Sequence, residues 1–504
     1  MSWKAIAKAA QAEVLDSIPA CWRLDPEEYR SLKNVTSVPR TCGILTDAQL
    51  KMTDFTAVEI IKRIEARELT AVQVLEAFAA RTAVAHQLTN CLMDWFYDDG
   101  LLQAKELDES LETSGRLRGP LHGVPIALKD FHFVRGRPTT TGYVSRRHFR
   151  PEHDSALVKT LRDAGAVFYC KTTMPQSGMA LETVSNLWGR TLNPLNRDFA
   201  AGGSSGGDAV LVALKGTPIT PSTDLGGSIR VPAAFNGLYA IRPTSDRVPK
   251  AGMENMNNGQ LSIKLSCGPI CRSMEDLAFF TKLINAHPSN RHDVTSVPVP
   301  WRSLEPLERK LTIGLLRWDG FDTYYQSGHK GTLSSLEATG EPLIPAFEDL
   351  INVFGSRELT AAQALQLNVK ARAFREAFSR AWDDTARRTN TDNPIDAIIC
   401  PSAPAAGYPH DFNIYWGYTS LFNLLDYPSV IVPIPDLRIN SRQDPVASNY
   451  KPLETNPYDE PNHKLYDPEV YSTQPSTIQI VGRPFEDEEL IRTASVIDKL
   501  FHTP

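Results

Sequence analysis

Two glycine-flanked serine motifs are the part of this sequence best suited to chemistry. The first reads Gly-Gly-Ser-Ser-Gly-Gly over residues 202–207, and the second reads Gly-Gly-Ser over residues 226–228. Because glycine allows close backbone approach and positive φ, each motif can present its serine on a tight turn. The apolar run between them predicts a short buried helix, followed by a strand at residues 218–220. Ser204 and Ser228 would then lie at the same rim of a core.

Two other interpretations of the first motif are weaker. Glycine and serine are typical of flexible linkers, but the residues on both sides of this motif are apolar. The pattern Gly202-x-Ser204-x-Gly206 also matches the nucleophile elbow of α/β-hydrolases, which requires a hydrophobic strand directly before it. Residues 193–198 read Asn-Pro-Leu-Asn-Arg-Asp and are typical of a loop.

A serine nucleophile needs a base, and Lys129 is a candidate for that role. It follows the apolar segment 121–128. A single lysine at a strand end is normally solvated, and its usual pKa of about 10.4 makes it a poor base at neutral pH. Burial in apolar surroundings lowers the pKa of an amine. Asp130 would oppose that lowering if its carboxylate faced the amine, and we expect it to point away.

These three segments together resemble the amidase signature family of Ser-Ser-Lys hydrolases, in particular its fungal acetamidase branch. The resemblance extends from about Gly43 to Arg483. It implies an α/β fold in which one large mixed β-sheet is covered by helices on both faces, with a helical N-terminal arm. We expect the arm at residues 1–50 and a single domain at residues 51–504, with a long surface excursion at about 434–475.

The resemblance also implies a role for each site residue. Ser228 would be the nucleophile, Ser204 the bridging serine behind a cis peptide bond from Gly203, and Lys129 the base. Four backbone N–H groups would form the oxyanion hole, those of Leu225, Gly226, Gly227 and Ser228. Two positions would contact the substrate, Ser204 and Gly178. Three residues would support the loop, namely Ser205 and an ion pair of Asp224 with Arg230.

Two departures from the family pattern bear on the substrate. Gly178 stands where relatives have a bulky apolar residue, so we expect an open acyl pocket and a preference for bulky or aromatic amides over acetamide. After residues 317–319, fungal relatives usually carry a further helix and strand. Here only residues 320–334 precede the next matching segment. We therefore expect one βα-like unit to be missing.

Composition argues against other classes of protein. The chain has 504 residues and a net charge of -6, which gives no basic surface for nucleic acid. No apolar run approaches the roughly 20 residues that span a bilayer, and the first residues do not form a secretory signal. The seven cysteines are scattered and favour reduced thiols in the cytoplasm. Cys267 and Cys271 lack the further ligands of a zinc site.

The sequence therefore predicts a cytoplasmic amidase that acts on a small-molecule amide through an acyl-serine intermediate, without a metal or cofactor. A homodimer is also expected. Three alternatives stay open: a biosynthetic acyl-transfer or amide-tailoring enzyme, a glutamine-dependent amidotransferase-like subunit, and a non-catalytic homologue. The amidotransferase would need a partner subunit and tRNA contacts, which the acidic chain does not indicate. The non-catalytic homologue would have lost Lys129, Ser204 or Ser228, and all three are present.

Overall fold

The structure is a computed structural model that describes most of the chain. The described residues are 2–253, 262–286, 291–316, 335–345, 348, 352, 359–412, 415–453 and 458–502. The place where we expect a missing βα-like unit, residues 317–334, lies outside them.

Helices form where apolar residues recur at helical intervals behind a capping side chain. Thr56 and Thr70 each accept a hydrogen bond from the third residue of their helix and complete a capping box. The described α-helices are α1 Trp3–Asp16, α2 Pro26–Tyr29, α3 Val38–Thr41, α4 Asp47–Asp54, α5 Ala57–Glu65, α6 Ala71–Thr89, α7 Tyr97–Ser114, α8 Ala156–Asp163, α9 Gly206–Ala213, α10 Arg230–Phe235, α11 Met274–Ala286, α12 Ala361–Asp384, α13 Gly417–Leu425, α14 Asp459–Leu465, α15 Pro468–Tyr471 and α16 Asp487–Phe501.

The strands are short and mostly buried, as expected for a sheet covered on both faces. They are β1 Leu92–Trp95, β2 Pro125–Lys129, β3 Val167–Thr172, β4 Val184–Ser185, β5 Gly189–Arg190, β6 Ile219–Asp224, β7 Tyr239–Arg242, β8 Ser266–Cys271, β9 Ile313–Leu315, β10 Ala397–Cys400, β11 Ser429–Pro433 and β12 Thr477–Val481.

The expected large mixed sheet is present. Among the described residues, seven strands pair in the order β6-β8-β7-β11-β12-β10-β9, and only β9 and β10 run parallel. The strand that ends in Lys129 pairs outside this ladder, in a three-stranded sheet of order β1-β3-β2. Strand β2 nevertheless packs beside β6. The carboxyl-terminal ends of these two strands therefore meet, and they carry the candidate site.

The N-terminal arm begins with α1, which packs against the rest of the chain. Ala7, Ala10 and Val14 are buried on one face, and the Gln11 side chain donates to the Leu187 carbonyl at 2.8 Å. In the expected surface excursion, residues 441–449 are exposed, and α14 and α15 follow them. The division of the chain at residue 50 stays a prediction.

Candidate active site

Lys129 is fully buried at the end of β2, and its amine faces three hydroxyl groups. Nζ lies 2.8 Å from Ser204 Oγ, 2.9 Å from Ser205 Oγ and 2.9 Å from Thr223 Oγ1. A protonated amine donates to all three hydroxyls. A neutral amine donates to two of them and can accept a proton from the third. The site therefore accommodates both protonation states of Lys129.

Burial and the nearby carboxylates shift the pKa of Lys129 in opposite directions. Burial lowers the pKa of Lys129 to about 8, and the carboxylates of Asp208 and Asp224 oppose this lowering. Asp130 points away from the amine, as expected. Its carboxylate accepts from the Thr140 N–H at 2.7 Å and from Thr140 Oγ1 at 2.6 Å. At neutral pH a minor fraction of Lys129 is thus neutral.

Asp208 is a buried acid next to this lysine that no sequence pattern indicated. Its carboxylate accepts from Thr172 Oγ1 at 2.5 Å and from Ser222 Oγ at 2.6 Å. Burial raises the pKa of Asp208 to about 6. Asp208 directly follows the first serine motif and lies in the first turn of an apolar helix, and this position is the one feature of the sequence that could have pointed to it.

The two serine motifs are adjacent in the structure. The Ser205 N–H donates to the Ser228 carbonyl oxygen at 3.2 Å, and Ser204 and Ser228 are both buried. The peptide bond between Gly203 and Ser204 is cis, as the resemblance implied. A Cβ atom on Gly203 would lie 2.6 Å from the Ala180 carbonyl oxygen, so only glycine fits there.

Asp224 and Arg230 form the expected ion pair, with both side chains fully buried. Arg230 Nε lies 3.0 Å from Asp224 Oδ2, and Nη2 lies 3.0 Å from Oδ1. Burial alone would raise the pKa of Asp224, but Arg230 outweighs burial and holds that pKa well below its usual range. The carboxylate also accepts from the Ile229 N–H at 3.1 Å. The pair therefore fixes the loop between β6 and α10.

This network engages one of the four N–H groups expected to bind an oxyanion. The Gly227 N–H donates to Asp224 Oδ1 at 2.8 Å, so it is directed into the protein. The N–H groups of Leu225, Gly226 and Ser228 donate to no group among the residues that the structure describes. The oxyanion hole itself stays a prediction, now with the N–H groups of Leu225, Gly226 and Ser228 as its donors.

Helix α13 holds the same loop from the other side. Thr419 Oγ1 donates to the Gly226 carbonyl at 2.7 Å, and Ser420 Oγ lies 3.3 Å from the same oxygen. Asn423 Nδ2 donates to Asp224 Oδ1 at 2.9 Å. These residues lie about 200 positions along the chain from the loop, and no local pattern could have revealed them.

Gly178 ends a 3₁₀ turn, Gln176–Gly178, with a φ of +73°. A Cβ atom there would lie 2.8 Å from Met174 Cε and 3.1 Å from Phe131 Cε2. The space on the Cβ side of this glycine is therefore filled, and the expected open acyl pocket stays a prediction. The Phe131 ring in turn lies 5.5 Å from Lys129 Nζ. A contact between Gly178 and the substrate stays a prediction.

In the described part of the chain, no helix is both long enough and apolar enough to cross a membrane. No group of three or more His, Cys, Asp or Glu side chains there is arranged to hold a metal ion.

The fold and the site together define an amide hydrolase, and the chain belongs to the amidase signature family. The profile of the family described as Amidase matches residues 73–354. The chain is 72% identical to Amidase FG08078 of Gibberella zeae over 542 aligned positions, covering 99% of each chain. It is 35% identical to an acetamidase of Emericella nidulans over 549 positions, covering 99% and 98%.

Solved structures show the same architecture. A fatty acid amide hydrolase superposes with a TM-score of 0.92 at 28% identity, covering 99% of this chain and 95% of that chain. A bacterial aryl acylamidase superposes with a TM-score of 0.62 at 20% identity, covering 87% and 94%, and supports the fold alone.

The lengths of the sequence alignments bear on the expected missing unit. Both alignments contain more positions than the 504 residues of this chain. Both relatives therefore carry residues with no counterpart here, and the loss of a βα-like unit after residue 319 stays a prediction.

Proposed function

We propose that this chain hydrolyses a small-molecule carboxylic amide through an acyl-enzyme on Ser228, with Ser204 as the proton bridge and Lys129 as the base. One observation carries the proposal. The buried Lys129 amine, whose pKa is lowered, lies 2.8 Å from Ser204 Oγ, and the next residue, Ser205, donates its N–H to the Ser228 carbonyl.

The first half of the reaction forms the acyl-enzyme. Neutral Lys129 takes the proton of Ser204 Oγ while Ser204 takes the proton of Ser228, whose oxygen attacks the amide carbon. The carbonyl oxygen becomes an oxyanion that accepts from the N–H groups of Leu225, Gly226 and Ser228. As the carbon–nitrogen bond breaks, the proton returns through Ser204 to the leaving nitrogen.

The second half uses the same relay on water. Water gives one proton towards Lys129 through Ser204, and its oxygen attacks the acyl carbon. When the bond between that carbon and Ser228 breaks, the proton returns to the serine oxygen. The products are a carboxylic acid and an amine or ammonia, and the enzyme is restored.

The hydroxyls around Lys129 differ in what they can do. Ser205 Oγ donates to the Thr223 carbonyl at 3.4 Å, so its proton is engaged and its oxygen accepts from Lys129. This favours Ser204 as the source of the proton that Lys129 takes. Ser205 and Thr223 would then hold the amine in position. Their hydrogen bonds would keep the lone pair of neutral Lys129 directed at Ser204.

The family and the relatives support an amide as the substrate. The acetamidase and the fatty acid amide hydrolase are named for very different acyl groups. We propose a small-molecule amide and test acyl length directly with acetamide, benzamide and a longer aliphatic amide. A cytoplasmic location and a homodimer complete the proposal, and light scattering on the purified chain measures its oligomeric state.

A fluorophosphonate probe tests the proposed nucleophile. Mass spectrometry of the labelled protein should place the adduct on Ser228, and Ser228→Ala should abolish both labelling and turnover. Thr281→Val, a buried change on α11 outside the site, serves as the control that keeps labelling. An adduct on any other residue would refute the assignment.

A second measurement separates hydrolysis from acyl transfer. With hydroxylamine in the assay, a hydrolase should still release mostly the free acid. A biosynthetic acyltransferase should release the hydroxamate almost exclusively and should turn over little in water alone. That second outcome would favour the alternative of acyl transfer over hydrolysis.

A further inference from the structure

The peptide unit between Gly226 and Gly227 is held at both of its ends. Its carbonyl accepts from Thr419 Oγ1 at 2.7 Å, a shorter contact than the 3.0 Å between the same hydroxyl and the Trp416 carbonyl, and from Ser420 Oγ at 3.3 Å. Its N–H donates to Asp224 Oδ1 at 2.8 Å. The oxygen of this peptide is therefore turned towards α13, on the side opposite to its N–H.

Glycine makes this peptide easy to turn, and Thr419 restrains it. Rotation of the unit changes ψ of Gly226 and φ of Gly227, and neither residue has a Cβ that resists the change. Thr419 lies directly against Gly227, where a Cβ atom would be 2.4 Å from Thr419 Oγ1 and 2.9 Å from its Cβ. Gly227 itself has a φ of +132°. The threonine thus contacts the peptide through both a hydrogen bond and packing.

Helix α13 reaches the loop at a second point, one turn further on. Residues four apart lie on the same face of a helix, and Asn423 follows Thr419 at that spacing. Asn423 Nδ2 donates to Asp224 Oδ1 at 2.9 Å, and Asn423 Oδ1 accepts from Arg230. One helix face therefore contacts the Gly226 carbonyl and also the carboxylate that binds the Gly227 N–H. Both side chains are buried.

We propose that Thr419 is a positioning residue for the oxyanion hole. It holds the Gly226 carbonyl away from the substrate, so that the adjoining N–H groups of Gly226 and Ser228 face the tetrahedral intermediate. This inference rests on the proposed function, because it takes Ser228 as the nucleophile. Without the Thr419 hydroxyl the Gly226 carbonyl keeps only the longer contact to Ser420, and the peptide is freer to turn. The N–H groups of Gly226 and Ser228 on either side of it then lose their alignment on the oxyanion, which weakens the stabilisation of the transition state.

The test compares three variants. Thr419→Val removes the hydroxyl but keeps the branched shape, and Thr419→Ser restores the hydroxyl. Thr281→Val is the matched control, because Thr281 is also buried and its Oγ1 donates to the Leu277 carbonyl at 2.7 Å in α11. Loss of one oxyanion donor costs about 10²- to 10³-fold in kcat. We expect Thr419→Val to lose about 10- to 100-fold in kcat with KM within about twofold, because the donors are misdirected only part of the time.

Two further readouts separate positioning from a loss of stability. A boronic acid that forms a tetrahedral adduct on the serine should bind Thr419→Val more weakly by a similar factor, whereas the carboxylic acid product should bind equally well. Thr419→Ser should recover most of kcat and of boronate affinity. Thr281→Val should lower the melting temperature and leave kcat unchanged.

The inference fails if Thr419→Val keeps kcat and boronate affinity, or if Thr419→Ser is as impaired as Thr419→Val. It also fails if the loss in Thr419→Val disappears when rates are divided by the folded fraction. Failure of the proposed function looks different: the fluorophosphonate adduct would then be absent from Ser228 in the unmutated protein. If that adduct forms and Thr419→Val is fully active, only the positioning role is wrong.

Discussion

Lys129 and Lys171 are two buried lysines on adjacent strands, and burial lowers the pKa of each to about 8. Their partners differ in kind. Lys171 Nζ donates to the carbonyls of Asp130 and Pro138 at 3.2 and 2.7 Å and to Thr139 Oγ1 at 2.8 Å, with the Asp130 carboxylate 3.9 Å away. Every partner of Lys129 is a hydroxyl.

This difference decides which lysine can act as a base. A carbonyl oxygen only accepts hydrogen bonds, so Lys171 must donate to two of its three partners. Those two partners have no proton that its amine could take. A hydroxyl can both accept and donate, so Lys129 keeps its contacts when it becomes neutral. Burial is therefore shared by the two lysines, and the chemistry of their neighbours separates them.

The pairing of the strands explains why the two lysines have different neighbours. Leu128 is the register partner of Lys171, and Lys129 is the partner of Thr172. Because side chains alternate along a strand, adjacent register positions direct the two lysines to opposite faces. Lys129 faces the serine motifs, and Lys171 faces the loop that contains Thr139.

The largest effect that we expect is the loss of turnover in Lys129→Met. Removing a general base costs about 10²- to 10⁴-fold, and methionine keeps the buried volume. The protein should stay folded, since the substitution also removes a buried charge. Steady-state kinetics and a melting curve measure both quantities. A variant with more than a tenth of normal kcat/KM would show that Lys129 is not the base.

The Lys171→Met variant should show the opposite pattern, with a loss of folding stability and little loss of turnover. It leaves the buried Asp130 carboxylate without its counter-charge and two carbonyls without their donor, and breaking such a buried pair costs about 3–5 kcal/mol of folding free energy. Turnover per folded molecule should stay within a few-fold of normal. Urea unfolding measures the first quantity, and fluorophosphonate titration of active sites corrects the second. Unchanged stability, or activity lost to the extent seen in Lys129→Met, would erase the contrast between the two lysines.

The dependence of rate on pH provides a sharper comparison. The proposed reaction needs neutral Lys129, whose pKa is about 8, so kcat/KM should rise about tenfold per pH unit below that value and level off above it. Loss of a proton raises the active fraction, so the slope is positive. Residual turnover in Lys129→Met should lack this limb. The Lys171→Met variant should keep this limb. If the limb disappeared in Lys171→Met, it would belong to Lys171 and not to Lys129.

The local features of this site could be predicted because their causes are local. Glycines around Ser204 and Ser228, the apolar segment before Lys129 and the cap at Thr70 each act within a few residues of the chain. The strand that contains Lys129 and the helix after the first serine motif follow from the same short-range patterns.

The support of the site could not be predicted, because it depends on how distant segments meet. Thr419 and Asn423 are polar residues within a mostly buried helix, and only the packing of α13 on the loop gives them partners. Asp224 was expected to pair with Arg230, but its hydrogen bond to the Gly227 N–H depends on the exact path of the loop. The filled space beside Gly178 likewise comes from Met174 and Phe131.

The smallest effect that we expect is that of Gly178→Ala, which should act only through the surroundings of Lys129. A Cβ here would press on Phe131, whose ring lies 5.5 Å from Lys129 Nζ, and positive φ costs a non-glycine residue roughly 1–2 kcal/mol. Gly178→Ala should therefore slow acetamide and benzamide by the same few-fold factor.

The sequence predicts that bulky amides outrank acetamide, and if Gly178 lines the acyl pocket, Gly178→Leu should reverse that order. The ranking itself stays a prediction, but its reversal requires that the new side chain enter the acyl pocket. Because a Cβ atom would lie 2.8 Å from Met174 Cε and 3.1 Å from Phe131 Cε2, and because φ is positive, we expect strain and no reversal. Met179→Ala is the comparison, since Met179 is partly buried beside Leu181 in an apolar cluster and should change the ratio of the two kcat/KM values. Suppose instead that Gly178→Leu reverses the order of the two amides and that Met179→Ala leaves the ratio of their kcat/KM values unchanged. Gly178 would then line the acyl pocket, and its effect on rate would not come from the surroundings of Lys129.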